Sequence, residues 1–292
     1  MDRTRPGDDR RRKTERERRL RWQSRLLLPF VLLPATAGVP LRMLPVWTPA
    51  TAKGLAICAA FGLLVWLLRA ATPPAALAGF LLTFCIYLGT VEQPNGSWFH
   101  TALLPGLALF LLAFAATRFR RGRKERIGLA ESRRGRAASQ VAANMGVAAL
   151  AGVAMPAHLP LLSSPHSRAL IVPLIAALAE AAADTVSSEV GQAIGGVPVL
   201  ITTLKRLPPG TDGAVSFPGT VAGSLAAAVL VLTAMPTLHL DPGQATVAWT
   251  AAICGLFADS IIGATLERRG WLNNDAVNFL STAIAALLAL LA

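Results

Sequence analysis

The stretch IVPLIAALAEAAADTVSSEVGQAIGG places Glu180, Asp184 and Glu189 inside one apolar run, with Ser187 and Ser188 just before the last of them. Glu180 and Asp184 are four residues apart, so on a helix they share a face. A carboxylate left uncompensated at mid-membrane costs about 2.5–3.5 kcal/mol even on the mild insertion scale. Three within ten residues, with no Lys or Arg in the run to neutralise them, point to a functional site rather than a polar network between helices. A second run, AAICGLFADSIIGATLERRG, carries Asp259 followed by Ser260, as Asp184 is followed by Thr185, and Glu267 two turns further on. The next segment, WLNNDAVNFLST, presents Asn273, Asn274, Asp275 and Asn278 where a helix should begin. Asn273 or Asn274 suits a helix cap, while Asp275 and Asn278 fall on one side and suit a site.

Oxygen donors of this kind are what a hard cation needs, since Mg²⁺ takes carboxylate and amide oxygens, keeps water and is completed by substrate phosphate. Between the acidic runs lies GGVPVLITTLKRLPPGTDGAVSFPGT. Gly195, Gly196, Gly210, Gly213 and Gly219 permit close backbone approach, and Thr202, Thr203, Lys205 and Arg206 offer phosphate-binding donors. No GxxxxGK[ST] and no GxGxxG after a strand occurs, so neither standard nucleotide fold is supported. His100, His158, His166 and His239 all map to the other ends of the apolar runs, which argues against a histidine base. Cys58, Cys85 and Cys254 lie in apolar runs without CxxC spacing and suggest no metal site, redox pair or disulfide.

These residues need a scaffold, and the composition names it. Hydrophobic residues make up 53% of the 292 and charged residues only 15%. The formal charge of +12 resides in two patches, net +6 over residues 1–25 and net +7 over 118–136. Between them lie runs near the roughly 20 residues a helix needs to cross a bilayer. The expected fold is an all-α polytopic transmembrane bundle of about nine spans, range seven to ten. An interrupted first span covers Leu26 to Val46, with Pro29, Pro34, Pro40 and Arg42 in it. Others run at about 52–68, 74–91, 101–117, 139–161, 169–190, 218–238, 245–266 and 276–292. Lys and Arg are retained on the cytoplasmic side of short loops. A cytoplasmic N-terminus puts Arg69, the 118–136 loop, Lys205 with Arg206, and Arg268 with Arg269 inside. Glu92, Arg168 and Asp241 then fall outside, as does the C-terminus.

The chain divides accordingly into a basic disordered cytosolic tail (1–25), plain membrane helices (26–117), a basic cytosolic loop (118–136) and polar-studded membrane helices with the site (137–292). The tail is expected on anionic lipid, and no nucleic-acid recognition fold accompanies the charge. Residues 184–191, 259–267 and 273–278, with Gln140 and Asn144, all approach the cytoplasmic face. The expected location is the bacterial inner (cell) membrane.

The segments AEAAADTVSSEVG, PVLITTLKRLPPGTDGAVS and GLFADSIIGATLERRGWLNNDAVNFLST resemble the integral membrane family of domain of unknown function ninety-two, over roughly residues 50–292. Its plant members include the phytyl-phosphate kinase of the tocopherol pathway. The resemblance implies phosphoryl transfer from a nucleoside triphosphate, CTP in the plant enzyme, to an isoprenoid monophosphate. The family's acidic pair matches Asp184, Thr185, Ser188 and Glu189. Its basic loop matches Lys205, Arg206, Pro208, Pro209 and Gly210, and its second acidic motif matches Asp259, Gly263, Asn273, Asn274 and Asp275. Where many relatives have Ser-Gly after PPGT, this chain has Asp212 and Gly213. Asp184, Glu189 and Asp259 are then the expected Mg²⁺ ligands, and Lys205 and Arg206 the cations that offset charge on the transferring oxygens. Thr202, Thr203, Gly210, Gly213, Asn273 and Asp275 are the expected nucleotide contacts. A transporter or lipid flippase that uses the intramembrane carboxylates, and a cytidylyltransferase acting on a lipid phosphate, are the competing readings.

Overall fold

The computed structural model describes residues 15, 18–43, 47–92, 95–155, 169–194 and 196–292. Most of the basic tail, the Arg42 side chain, His158, His166, Arg168 and Gly195 lie outside the described residues.

The chain is a bundle of α-helices: α1 (Arg21–Met43), α2 (Pro49–Leu67), α3 (Pro73–Thr90), α4 (Leu103–Arg118), α5 (Arg121–Arg126), α6 (Ala138–Ala154) and α7 (Ile171–Ile194). A two-stranded hairpin, β1 (Val199–Leu200) and β2 (Ala214–Val215), precedes α8 (Phe217–Leu238). The bundle ends with α9 (Pro242–Ile262), continued by a π-helical turn Gly263–Glu267, and α10 (Asn274–Leu291). Six helices, α2, α3, α7, α8, α9 with its π turn, and α10, are long and apolar enough to cross a membrane, while α4 and α6 are apolar but shorter. That gives up to eight candidate spans among the described residues, inside the expected range. The protein is a multi-pass membrane protein.

Local chemistry sets the helix starts. Pro49, Pro73 and Pro242 stand in the first turns, where a missing N–H costs nothing. Thr48, Ser216, Asp241 and Asn273 accept at the N-caps from the N–H groups of Thr51, Gly219, Gln244 and Ala276. The interrupted first span folds as one helix, α1, despite Pro29, Pro34 and Pro40, and it packs on α6, α3 and α10.

The centre of the bundle is α7, which packs on α8, α9, α10, α6 and α4. Its run of small residues, Ala176 to Ala183 with Leu178 and Glu180 among them, is buried throughout. Small side chains let helix backbones approach closely where lipid offers no hydrophobic drive. Gly223 of α8 illustrates the fit, since a Cβ there would press into the carbonyl of Ala183.

Every basic segment described lies at one end of the bundle. Arg118 donates to the carbonyl of Leu68 (3.1 Å), Arg123 to that of Ile194 (3.1 Å), and Gln23 to that of Trp271 (2.7 Å). At the opposite end His100 and His239 stack with ring centroids 4.8 Å apart.

Candidate functional site

At the basic end the polar residues of four helices open onto a cavity of about 400 Å³. The C-terminal half of α7 contributes Asp184, Ser187, Ser188 and Glu189, α9 and its π turn contribute Asp259, Ser260 and Glu267, and α10 contributes Asn274 and Asn278. Gln140 and Asn144 come from the first turns of α6, with Arg136 just ahead of that helix. The segment Pro209–Ser216 closes one side. Helix geometry explains the convergence: α7 and α9 end at the basic end, α6 and α10 begin there, and each presents its polar residues within about three turns of that terminus.

The hydrogen bonds divide the cavity wall into held and open groups. Asn278 donates to Asn144 (3.1 Å), joining α10 to α6. Arg136 donates to the Thr185 hydroxyl (3.4 Å) and lies within electrostatic reach of Asp184. Asp259 faces Asp184, Glu180 and Glu267. Its Oδ2 and Glu180 Oε1 are both buried without a hydrogen-bond partner. Glu180 is 1% exposed, one turn deeper than Asp184, and does not line the cavity.

The carboxylates differ from the sequence expectation in their cationic neighbours, Arg136 near Asp184 and, more closely, Lys124 at Glu189. Glu189 has a cationic partner, because Lys124 of α5, fully buried, bonds to its carboxylate and donates also to the carbonyls of Ala116 (2.9 Å) and Thr117 (2.7 Å). The partner arrives from the basic loop, not from the same span, so nothing in the spacing around Glu189 announces it.

The structure separates the expected nucleotide contacts. Gly210 and Gly213 reach the cavity. Gly213, at φ +71°, lets the hairpin lie against the backbone of Ala264 in the π turn, where a Cβ would collide. Thr202, Thr203, Lys205 and Arg206 are exposed on the tip of the hairpin and do not line the cavity. The reason is the tight turn in which the Leu200 N–H donates to the Lys205 carbonyl (2.9 Å), which turns that tip outward. Asn273 and Asp275 face the start of α1: Asn273 caps α10 and donates to the Leu20 carbonyl (3.1 Å) and the Ser24 hydroxyl (2.8 Å), and Asp275 accepts from Ser24 (2.6 Å). The cavity's own cation, Arg136, was not singled out from sequence. It is one of nine basic residues between 118 and 136, and no spacing distinguishes it. In the same loop, Arg121 and Arg133 hold the exposed Glu125 carboxyl below the usual carboxylate range, chiefly through the Arg121 hydrogen bond.

Among the described residues no three His, Cys, Asp or Glu side chains are grouped to hold a metal ion by themselves. Mg²⁺ seldom uses an all-protein cage and takes one or two carboxylates with water and substrate phosphates. Asp184, the open oxygen of Asp259 and the neighbouring amides fit that partial donor set.

Residues 56–286 match the family described as integral membrane protein DUF92. The chain belongs to that family. Among DUF92 relatives, "Protein VTE6, chloroplastic" of Arabidopsis thaliana is 30% identical over 261 residues, covering 85% of this chain and 72% of the plant protein. An uncharacterized membrane protein of Synechocystis is 34% identical over 185 residues, 63% of this chain and 70% of the relative. An uncharacterized membrane protein of Methanocaldococcus jannaschii is 37% identical over 121 residues, 41% of this chain and 50% of its own length. No solved structure matches the chain.

Proposed function

We propose that the protein transfers the γ-phosphoryl group of a nucleoside triphosphate, with CTP the first candidate, to an isoprenoid monophosphate at the cytoplasmic face of a bacterial inner membrane. The observation that carries this reading is the convergence of Asp184, Asp259, Glu267 and Arg136 on one polar cavity at the basic end of the bundle. The bond from the γ-phosphorus to the β–γ bridging oxygen breaks, and a bond to an oxygen of the acceptor phosphate forms, leaving a nucleoside diphosphate and a lipid diphosphate.

Phosphoryl transfer is mostly positioning and charge stabilisation. Asp184 and Asp259 would hold Mg²⁺, which neutralises charge on the triphosphate oxygens when bound. Arg136, beside Thr185, offsets charge on the transferring oxygens. Asn144 and Asn278 orient the acceptor phosphate, which needs no deprotonation and therefore no histidine. The Arg18–Arg25 stretch, with Trp22 55% exposed, rests on anionic lipid at the same face.

One observation favours a second reading. Glu180, buried between Gly255 and Ser281 a turn below the cavity, is placed as a proton or cation site of a carrier would be. The deciding experiment incubates purified protein with Mg²⁺, an isoprenoid monophosphate and CTP labelled at either the α or the γ phosphorus. Label from the γ position alone supports the kinase, and transfer of the CMP moiety supports a cytidylyltransferase. Neither transfer, from a preparation that moves solute across proteoliposomes, replaces the enzyme reading with the carrier.

A further inference from the structure

A second, mostly apolar cleft lies between α2, α3, α6 and α4. It exists because α4 packs chiefly on α7 and α8 and barely touches α3. Phe61 and Phe110 meet edge to face across it at 5.2 Å, and Phe80 and Phe114 continue its wall. Along α4 the cleft runs from Gly106 to Arg118, roughly 18 Å at 1.5 Å per residue. Its basic end carries Arg69, Arg118, Arg121 and Arg136 against a single carboxylate, Glu131. Arg118 lies over the Phe114 ring at 4.3 Å, so charge begins where the apolar wall stops.

The cleft and the polar cavity share three residues, Glu131, Arg136 and Asn144. The guanidinium of Arg136 stands at the junction, with the Thr185 hydroxyl on its cavity side.

The geometry points to the cleft as the binding site of a single-chain lipid phosphate, its hydrocarbon between α4 and α3 and its headgroup at Arg136, facing the carboxylate cavity. The occupant follows from the chemistry of the walls. An apolar slot narrowed by the Phe61–Phe110 contact takes one chain, and an arginine-rich mouth takes an anion. A lipid seated this way delivers its phosphate to the cavity without leaving the hydrocarbon phase. The site rests on the phosphoryl-transfer reading for its purpose, but binding in it needs no nucleotide.

Gly106 supplies a test at the far end of the cleft, because a Cβ built there meets nothing within 4 Å. Gly106→Leu fills the distal slot and removes a helix-weakening glycine, so the variant should fold at least as well as the parent. Binding is measured on the full-length protein in detergent, without nucleotide or divalent cation, using radiolabelled geranylgeranyl phosphate. Geranyl phosphate, geranylgeraniol, inorganic phosphate and phosphatidic acid serve as competitors.

The parent should bind geranylgeranyl phosphate in preference to the free alcohol, inorganic phosphate and two-chain phosphatidic acid. G106L should weaken geranylgeranyl phosphate by roughly tenfold or more while leaving geranyl phosphate nearly unchanged, since each methylene denied burial costs severalfold in affinity. Arg136→Gln should weaken both phosphates by roughly tenfold and leave the alcohol alone, and Arg136→Lys should restore part of the loss. Equal binding of long-chain phosphate by the parent, G106L and R136Q, or equal competition by phosphatidic acid, overturns the site. Binding as expected with no phosphoryl transfer leaves the site standing and removes the kinase reading. Transfer in the parent with binding unmoved by both variants does the reverse.

Discussion

The ammonium of Lys124 and the carboxylate of Glu189, 65 residues apart in sequence, form an ion pair in which the lysine is 0% and the glutamate 12% exposed. The other two lysine donors go to the carbonyls of Ala116 and Thr117, so all three are used. The pair pins the short helix α5 to the C-terminal half of α7 and fixes one edge of the cavity.

Removing one partner should therefore cost more than removing both. Lys124→Met leaves Glu189 without its cation and is expected to destabilise by roughly 3 kcal/mol, the lower end for a buried pair because Glu189 touches the cavity. The double variant K124M/E189Q should recover most of that loss. Unfolding in mixed detergent micelles reads both, and equal loss in the single and double variants would show that the pair is not the source.

The two open acids make a different prediction. Asp184→Asn and Asp259→Asn are expected to lower turnover on the order of a hundredfold while folded yield stays comparable, and chelating Mg²⁺ should abolish nucleotide binding by the parent. Glu180→Gln should leave phosphoryl transfer largely intact, since that side chain does not reach the cavity. A loss at Glu180 with none at Asp184 or Asp259 would shift the chemistry to the membrane interior and to transport.

The hairpin tip and Arg136 can be ranked. Lys205 and Arg206 are exposed, and exposed charges are screened by salt. Their double alanine variant should lower nucleotide affinity less than roughly fivefold, mostly at low ionic strength, and Arg136→Gln should lower turnover more. The opposite ranking, measured by steady-state kinetics, would place the hairpin tip on the bound nucleotide.

Orientation is open to direct labelling. With Cys58, Cys85 and Cys254 replaced, a cysteine at Ser132 or Thr203, both exposed at the basic end, should react only from the cytoplasm, and one at Ser97 only from outside. Reversed accessibility would move the cavity away from cytosolic nucleotide and against the kinase.

The run lengths and the two basic patches were enough to read an all-α membrane bundle and to place most of its helices, because burial in lipid is a local requirement. The acidic residues on α7 and α9 were legible for the same reason: a carboxylate in an apolar run is costly wherever the run goes. What tertiary structure decided is which groups face each other. Lys124 and Arg136 carry no local mark among their basic neighbours, yet folding buries one against Glu189 and sets the other between the lipid cleft and the cavity. Nor does spacing show that Asn273 and Asp275 bond the start of α1, or that a tight turn sets Lys205 and Arg206 on an exposed tip. Pairing energies depend on distance and burial between segments far apart in the chain, and sequence spacing encodes neither.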